Sequence, residues 1–411
     1  MNSNPSIVVI GGIEVGKSTT IQELWECREI ISTENGIISC SVEDDVPGRG
    51  VMAFEVHELP DIIYSKNEEW MNDFNIRKSI SESDVILFIL PAFTFGYKLE
   101  LSTIIGIIES DMYKNQHIVI AINKSDMKFF EQDESGYPTK VNLDGISDLI
   151  SIGHSIYGTI KDKVSEYMFD ETSVIPICSL ISWNINKLKE KLWEGVIEKN
   201  NQNLFDRNSP TVVIAGKRGC GKSTTLNELW GFNLPTNKAV ACTKYPMVLH
   251  ANSQFHGEIK SLNIVDLPGI AESLDADMKY SNYYRTYINK ASVLICLSQA
   301  DTRAYKQDEL FYNNLIQNGI ITQSTSIILG INQVDLLFKS IDCPDGIDLN
   351  TITSHHPMIE EKIADYYENV YKGIFKDFPN VSKDNVCVYS AIQQWNIEEL
   401  KNKIESYIFN N

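Results

Sequence analysis

Two stretches of eight residues carry the side chains and spacing needed to grip a polyphosphate. Gly11-Gly12-Ile13-Glu14-Val15-Gly16-Lys17-Ser18 follows the apolar run SIVVI, and Gly216-Lys217-Arg218-Gly219-Cys220-Gly221-Lys222-Ser223 follows TVVIA. Both fit G-x4-G-K-[ST] in the strand–loop–helix setting that this pattern requires. Glycines at Gly11, Gly16, Gly216, Gly219 and Gly221 let backbone N–H groups turn inward around an anion, at the positive end of a helix. Lys17 and Lys222 are placed to reach β- and γ-phosphates, and Ser18 and Ser223 to ligate Mg²⁺. Thr19 and Thr224 extend each cradle into its helix.

The elements holding these loops occur twice. Residues 16–25 read GKSTTIQELW and residues 221–230 read GKSTTLNELW, with eight of ten positions identical at an offset of 205. Asn123-Lys124-Ser125-Asp126 matches Asn332-Gln333-Val334-Asp335 at an offset of 209, and Trp183-Asn184-Ile185 matches Trp395-Asn396-Ile397 at 212. A period this long means duplicated domains, since solenoid repeats run ~20–50 residues. The expected domains are 1–200 and 208–411, joined through the polar stretch Glu198 to Pro210.

Within the second copy, Thr211–Ala215, Leu262–Val265, Val293–Leu297, Ser326–Gly330 and Val386–Tyr389 read as strands. Gln307–Asn318 and Met358–Phe378 carry helical spacing. The fold class is therefore α/β, two tandem domains that are each a mostly parallel sheet covered by helices on both faces. Ligands of such sheets bind at the carboxyl ends of the strands, where both loops fall.

Composition narrows the classes. Of 411 residues, 43% are hydrophobic and 22% charged, which excludes a disordered or collagen-like chain. A formal charge of −19 argues against nucleic acid as a partner, because phosphate contacts need clustered Lys and Arg. No segment reaches the ~18 apolar residues of a membrane span, and Val85–Phe93, interrupted by Pro91, reads as a buried strand. Neither a signal peptide nor a lipidation motif is evident. The eight cysteines form no CxxC pair, which suits buried free thiols in the cytoplasm.

The order of phosphate loop, Thr, DxxG, NKxD-like and SA-like segments resembles the small GTPase superfamily, twice over nearly the whole chain. In the second copy these are Thr243 in AVACTKYP, Asp266-Leu267-Pro268-Gly269, Asn332-Gln333-Val334-Asp335 and Ser390-Ala391. The resemblance implies GTP/GDP and Mg²⁺ as cofactors. Asp335 would accept from guanine N1–H and N2–H₂, Asn332 would brace the phosphate loop, and the Ala391 N–H would read guanine O6. Gln333 replaces the usual Lys. Ser223, Thr243 and Asp266 would hold the metal, with Ser18 doing so in the first copy, and Gly269 would meet the γ-phosphate. The catalytic set is thus Lys222, Ser223, Thr243, Asp266 and Gly269. The second copy is similar to Era-like GTPases, most of all the prophage-associated YfjP/YeeP type. The tandem layout resembles Der-type ribosome-assembly GTPases without their KH-like domain.

The copies differ in chemistry. Asn123, Lys124, Asp126 and Ser179 retain base recognition in the first, yet Glu58-Leu59-Pro60-Asp61 replaces DLPG, and Ser41 is the best candidate for the missing Thr. Ile270 stands where Ras-like relatives place a catalytic Gln, so slow hydrolysis is expected. The resulting expectation is a GTP-hydrolysing switch in the second copy with a regulatory pseudo-GTPase in the first. Its partners would be guanine nucleotide, a protein partner or activator, and a homodimer or internal pseudo-dimer. A nucleotide-locked scaffold without turnover and a ribosome-assembly factor are the competing readings. Arg303 is a further candidate for stabilising charge.

Overall fold

The computed structural model describes residues 4–25, 32–34, 36–46, 50–61, 68–92, 97–124, 130–134, 138–164, 168–236, 243–255, 257–270, 274–301, 306–338, 349, 352–378 and 381–409. The chain divides into two compact units, Met1–Gln202 and Asn203–Asn411.

The first unit is built on a seven-stranded sheet of order β2-β3-β4-β1-β5-β6-β9. Its strands are β1 (Ser6–Gly11), β2 (Ser32–Glu34), β3 (Ile37–Val46), β4 (Gly50–Glu58), β5 (Val85–Pro91), β6 (His117–Asn123) and β9 (Val174–Pro176). β7 (Phe130–Gln132) and β8 (Pro138–Val141) form a separate ribbon. β1 pairs in parallel with β4 and β5, whereas β2, β3 and β4 are antiparallel neighbours. Because successive side chains of a strand point to opposite faces, β1 feeds two cores. Val8 and Ile10 join one cluster with Ile86, Phe88 and Leu90, and Ile7 and Val9 join the other with Val85, Leu87 and Ile89. Helices α1 (Lys17–Trp25), α2 (Phe74–Glu82), α3 (Lys98–Glu109), α4 (Leu143–Ile160) and α5 (Ile185–Leu204) complete the unit.

The second unit carries a six-stranded sheet of order β11-β12-β10-β13-β14-β15. Its strands are β10 (Thr211–Gly216), β11 (Met247–Phe255), β12 (Glu258–Asp266), β13 (Val293–Gln299), β14 (Ser326–Asn332) and β15 (Val386–Val388). Only β11 runs antiparallel. Helices α6 (Lys222–Trp230), α7 (Leu274–Ile288), α8 (Lys306–Gln317), α9 (Pro357–Tyr366) and α10 (Ile397–Phe409) follow. In α10, Ile397, Leu400, Ile404 and Ile408 make the buried stripe that seats it on the sheet, an i, i+3, i+7, i+11 pattern.

Three details go beyond these expectations. The two units divide within Glu198 to Pro210, and α5 continues into that stretch to Leu204 with Glu198 and Asn201 buried. The helical stretch at Met358–Phe378 is broken by a π-helical turn at Tyr367–Tyr371, which carries the buried Tyr371 hydroxyl to 3.1 Å from Ser298 Oγ. The strand readings missed β11 altogether. It is an edge strand whose sequence, MVLHANSQF, is polar toward its end.

Candidate functional site

In the second unit the phosphate loop leaves the carboxyl end of β10 and enters α6 through Gly221, whose φ is +89°. A Cβ there would stand 2.3 Å from Asn332 Nδ2, so only glycine lets Asn332 come this close. The Asn332 amide donates to Cys220 O at 3.0 Å, and its Oδ1 accepts from the backbone N–H of Ala391 (3.0 Å) and of Gln333 (2.7 Å). One buried side chain thus ties together the phosphate loop, the end of β14 and the segment after β15.

Gln333 adds a tie that the sequence did not reveal. Its Nε2 donates to Gly219 O at 2.7 Å, bracing the same loop from outside. Asp335, also buried, accepts from Ser390 Oγ at 2.6 Å through Oδ1. The Ser390 hydroxyl was read as part of a motif, and its work here is to fix the Asp335 carboxylate. Lys222 is buried, with its ammonium donating to Gly216 O at 3.0 Å and Lys217 O at 3.2 Å.

Three oxygen-bearing side chains meet at the start of α6. Ser223 Oγ donates to Asp266 Oδ2 at 2.7 Å, Thr243 Oγ1 donates to the same oxygen at 3.1 Å, and the two hydroxyls lie 3.3 Å apart. Asp266 is fully buried, and its Oδ1 has no hydrogen-bond partner among the described residues. Burial pushes its carboxyl above the usual carboxylate range, opposed by the Lys222 charge and by the two hydroxyl bonds. A small cluster of hard oxygens with one carboxylate oxygen left over fits a hard divalent cation such as Mg²⁺.

The residues around this cluster are held by contacts invisible in the motifs. Ile270, at 1% exposure, donates its backbone N–H to Gly216 O at 3.2 Å. Tyr284 of α7 donates its hydroxyl to Gly269 O at 3.1 Å. Lys217 pairs at 2.7 Å with Asp308 of α8. Thr224 lies in the first turn of α6, as Thr19 does in α1. Cys220 is buried and its thiol pKa is raised by that burial, which leaves it a packing residue and not a reactive thiol.

The first unit repeats the frame with different contents. Gly16 has φ +86°, and a Cβ there would meet Asn123 Nδ2 at 2.5 Å. Asn123 donates to Val15 O at 2.9 Å, and its Oδ1 accepts from Ser179 N–H (3.2 Å) and Ser179 Oγ (2.8 Å). Cys178 makes the backbone bridge to Trp183 that Ser390 makes to Trp395, so the hydroxyl that fixes Asp335 has a thiol as its counterpart. Ser18 Oγ lies 2.8 and 2.9 Å from the two Glu58 oxygens. Lys17 donates to Gly11 O (3.2 Å), to Gly12 O (3.0 Å) and to the Asp61 carboxylate. Lys124 takes the left-handed backbone that Gln333 takes, with φ of 58° and 62°.

Ser41 does not fill the place of Thr243. It pairs in register with Glu55, three residues before Glu58, ~10 Å along the strand at ~3.3 Å per residue. Asp126 and Arg303 lie outside the described residues, and so does the stretch before Thr243.

A family model described as 50S ribosome-binding GTPase matches residues 6–124 and again 211–333, more than half of the chain. The chain belongs to this GTPase family. It is similar to the uncharacterised protein YfjP of Escherichia coli (strain K12), at 34% identity over 128 residues, covering 30% of this chain and 42% of that protein. It is also similar to the tRNA modification GTPase MnmE of Clostridioides difficile, at 25% identity over 263 residues, covering 61% of this chain and 47% of MnmE. Among solved structures, Era of Aquifex aeolicus bound to GDP and aluminium fluoride matches with 22% identity and a TM-score of 0.34, over 48% of this chain and 56% of that one. The chain spans less than half the length of these curated relatives. Membership places the chain among P-loop GTPases, a family implying guanine nucleotide and Mg²⁺ as ligands. Among the described residues, no helix is long and apolar enough to cross a membrane.

Proposed function

We propose that the chain is a cytoplasmic guanine-nucleotide switch whose second unit hydrolyses GTP slowly with Mg²⁺, and whose first unit is a regulatory domain that has lost hydrolysis. The observation that carries this reading is the meeting of Ser223, Thr243 and Asp266 beside a buried Lys222, with Asp266 Oδ1 left without a partner among the described residues.

When bound, Mg²⁺ neutralises charge on the β- and γ-phosphate oxygens. The rest is the work of the chain. Inward N–H groups of the Gly216–Ser223 loop cradle the phosphates, and Lys222 turns from its carbonyls to them. Ser223 and Thr243 would offer hydroxyl oxygens to the cation, Asp266 would supply the neighbouring carboxylate, and the Gly269 N–H would meet the γ-phosphate. Asp335, oriented by Ser390, takes both donors on the guanine edge, where adenine would leave that carboxylate unpaired. Departure of the γ-phosphate frees Thr243 and Gly269, and that order–disorder change is the switch.

Slow turnover follows from Ile270. Its side chain is buried and its N–H is engaged by Gly216, so this position orients no water. An activating partner would then supply the missing group. The same residue favours a second reading, a nucleotide-locked scaffold with negligible turnover. A ribosome-assembly role, by analogy with the tandem family, sits poorly with a formal charge of −19. In the first unit, the loss of the Thr and the replacement of DLPG by Glu58-Leu59-Pro60-Asp61 support guanine-nucleotide binding without hydrolysis. Buried free thiols at Cys40, Cys178, Cys220, Cys296 and Cys387 suit a reducing compartment.

The test is the nucleotide content of the purified full chain after denaturation and ion-exchange chromatography. Retained guanine nucleotide, with no adenine nucleotide, is the expected result. Adenine nucleotide in its place would refute the assignment of base recognition to Asp335.

A further inference from the structure

The two phosphate-loop lysines differ in one contact. Lys222 donates to the carbonyls of Gly216 and Lys217 and, among the described residues, is in no ion pair. Lys17 makes the matching pair of carbonyl bonds and also an ion pair with Asp61. The strands that bring these groups together are in equivalent register. Glu58 pairs with Val9, two residues before Gly11, and Asp266 pairs with Ile214, two residues before Gly216. Asp61 therefore occupies the place of Gly269, at the end of the cradle where a γ-phosphate is met. Lys17 is 8% exposed and Asp61 40%, so the carboxylate enters from the solvent side onto a buried cation.

We propose that Asp61 is a resident anion at the γ-phosphate end of the first cradle, and that it makes the first unit selective for a nucleoside diphosphate over a triphosphate. The inference rests on the reading of the first unit as a guanine-nucleotide site. A loop lysine serves both the β- and γ-phosphates. A diphosphate places its β-phosphate in the nest of N–H groups and shares Lys17 with the carboxylate. A triphosphate must displace Asp61 from Lys17 or lie against it, and like charges a few ångströms apart repel. Glu58 does not make this difference. Both its oxygens lie on Ser18 Oγ, whereas Asp266 uses one oxygen on Ser223 and leaves the other over. The Ser18 and Ser223 hydroxyls are thus engaged alike by a carboxylate, and what sets the first cradle apart is the Asp61 charge on Lys17.

The experiment uses the full chain with Lys222→Ala and Asp335→Asn, which remove phosphate and base recognition from the second unit. Fluorescently labelled GDP and a non-hydrolysable GTP analogue are titrated with Mg²⁺ present. Binding at least tenfold tighter for GDP is expected, and Lys17→Ala in this background should abolish it. Asp61→Gly, which copies the second unit, and Asp61→Asn, which keeps the size and loses the charge, should each tighten the triphosphate analogue at least tenfold. GDP binding should stay within about threefold. Equal affinities before substitution, or equal changes for both nucleotides after it, overturn the selectivity and leave the nucleotide site standing. Binding of both nucleotides only after substitution overturns it too, because Asp61 would then close the site altogether. Binding of neither in any variant refutes the nucleotide site itself, and the selectivity with it.

Discussion

Ser223 Oγ donates to Asp266 Oδ2 at 2.7 Å, joining the first turn of α6 to the last residue of β12. This bond keeps a buried carboxylate at the mouth of the phosphate loop, and several measurable consequences follow from its burial and from the bonds around it.

The pH dependence of stability is the first. Burial raises the Asp266 carboxyl, so the folded chain keeps a proton that the unfolded chain has already released. The group's contribution is most favourable below the ordinary carboxylate range and is lost as pH rises through the raised folded value. Asp266→Asn keeps an oxygen for Ser223 and Thr243 but carries no charge. In thermal melts without metal or nucleotide it should raise stability near neutral pH, on the order of 1 kcal/mol, and flatten this part of the profile. An unchanged profile would contradict a carboxylate strained by burial.

Base choice is the second. Asp335→Asn replaces one acceptor oxygen with a donor, matching the carbonyl of xanthine where guanine has its amino group. Competition binding should shift preference from GTP toward XTP by tenfold or more. Persistent preference for GTP would remove Asp335 from base recognition. Ser390→Ala should weaken GTP binding without changing the preferred base, since Ser390 acts through Asp335.

The lysines separate the two units. Lys222→Ala should lower multiple-turnover GTP hydrolysis by ~10²-fold or more, in the range for loss of one group that stabilises transition-state charge. Lys17→Ala should leave turnover within about threefold. Equal losses would mean that the first unit itself hydrolyses GTP, or that turnover in the second unit requires nucleotide in the first.

Gly221→Ala tests the cradle as a shape. The added Cβ would stand 2.3 Å from Asn332 Nδ2 on a backbone of φ +89°. The variant should lose ~1–3 kcal/mol of stability and bind guanine nucleotide poorly. Gly219→Ala has a similar φ, +80°, but nothing within 4 Å, so its strain comes from the backbone alone and its loss should be smaller. Equal losses would mean that the close approach of Asn332 is unimportant.

The sheets were legible because their central strands bury both faces and read as unbroken apolar runs, as VILFIL does in β5. Two antiparallel outer strands were not. β3, next to the edge, carries Glu43, Asp44 and Asp45 before Val46, and β11, at the edge, carries Asn252, Ser253 and Gln254 before Phe255, so neither offers a continuous signal. The loops and the order of motifs were legible because they demand particular residues at fixed spacing. What the motifs could not show is how side chains far apart in sequence settle on one another. Asp61 finds Lys17 across 44 residues, Gln333 finds Gly219 across 114, and Ser390 finds Asp335 across 55. The displacement of Ser41 likewise follows from strand register, which the linear motif does not encode.

The most direct test of the second unit as a Mg²⁺-dependent GTPase is phosphate release by the full chain, with GTP and ATP in parallel and with Mg²⁺ or EDTA. Slow release from GTP alone, abolished by EDTA and by Asp266→Asn, is the expected outcome. No release from GTP, or equal release from ATP, would contradict it.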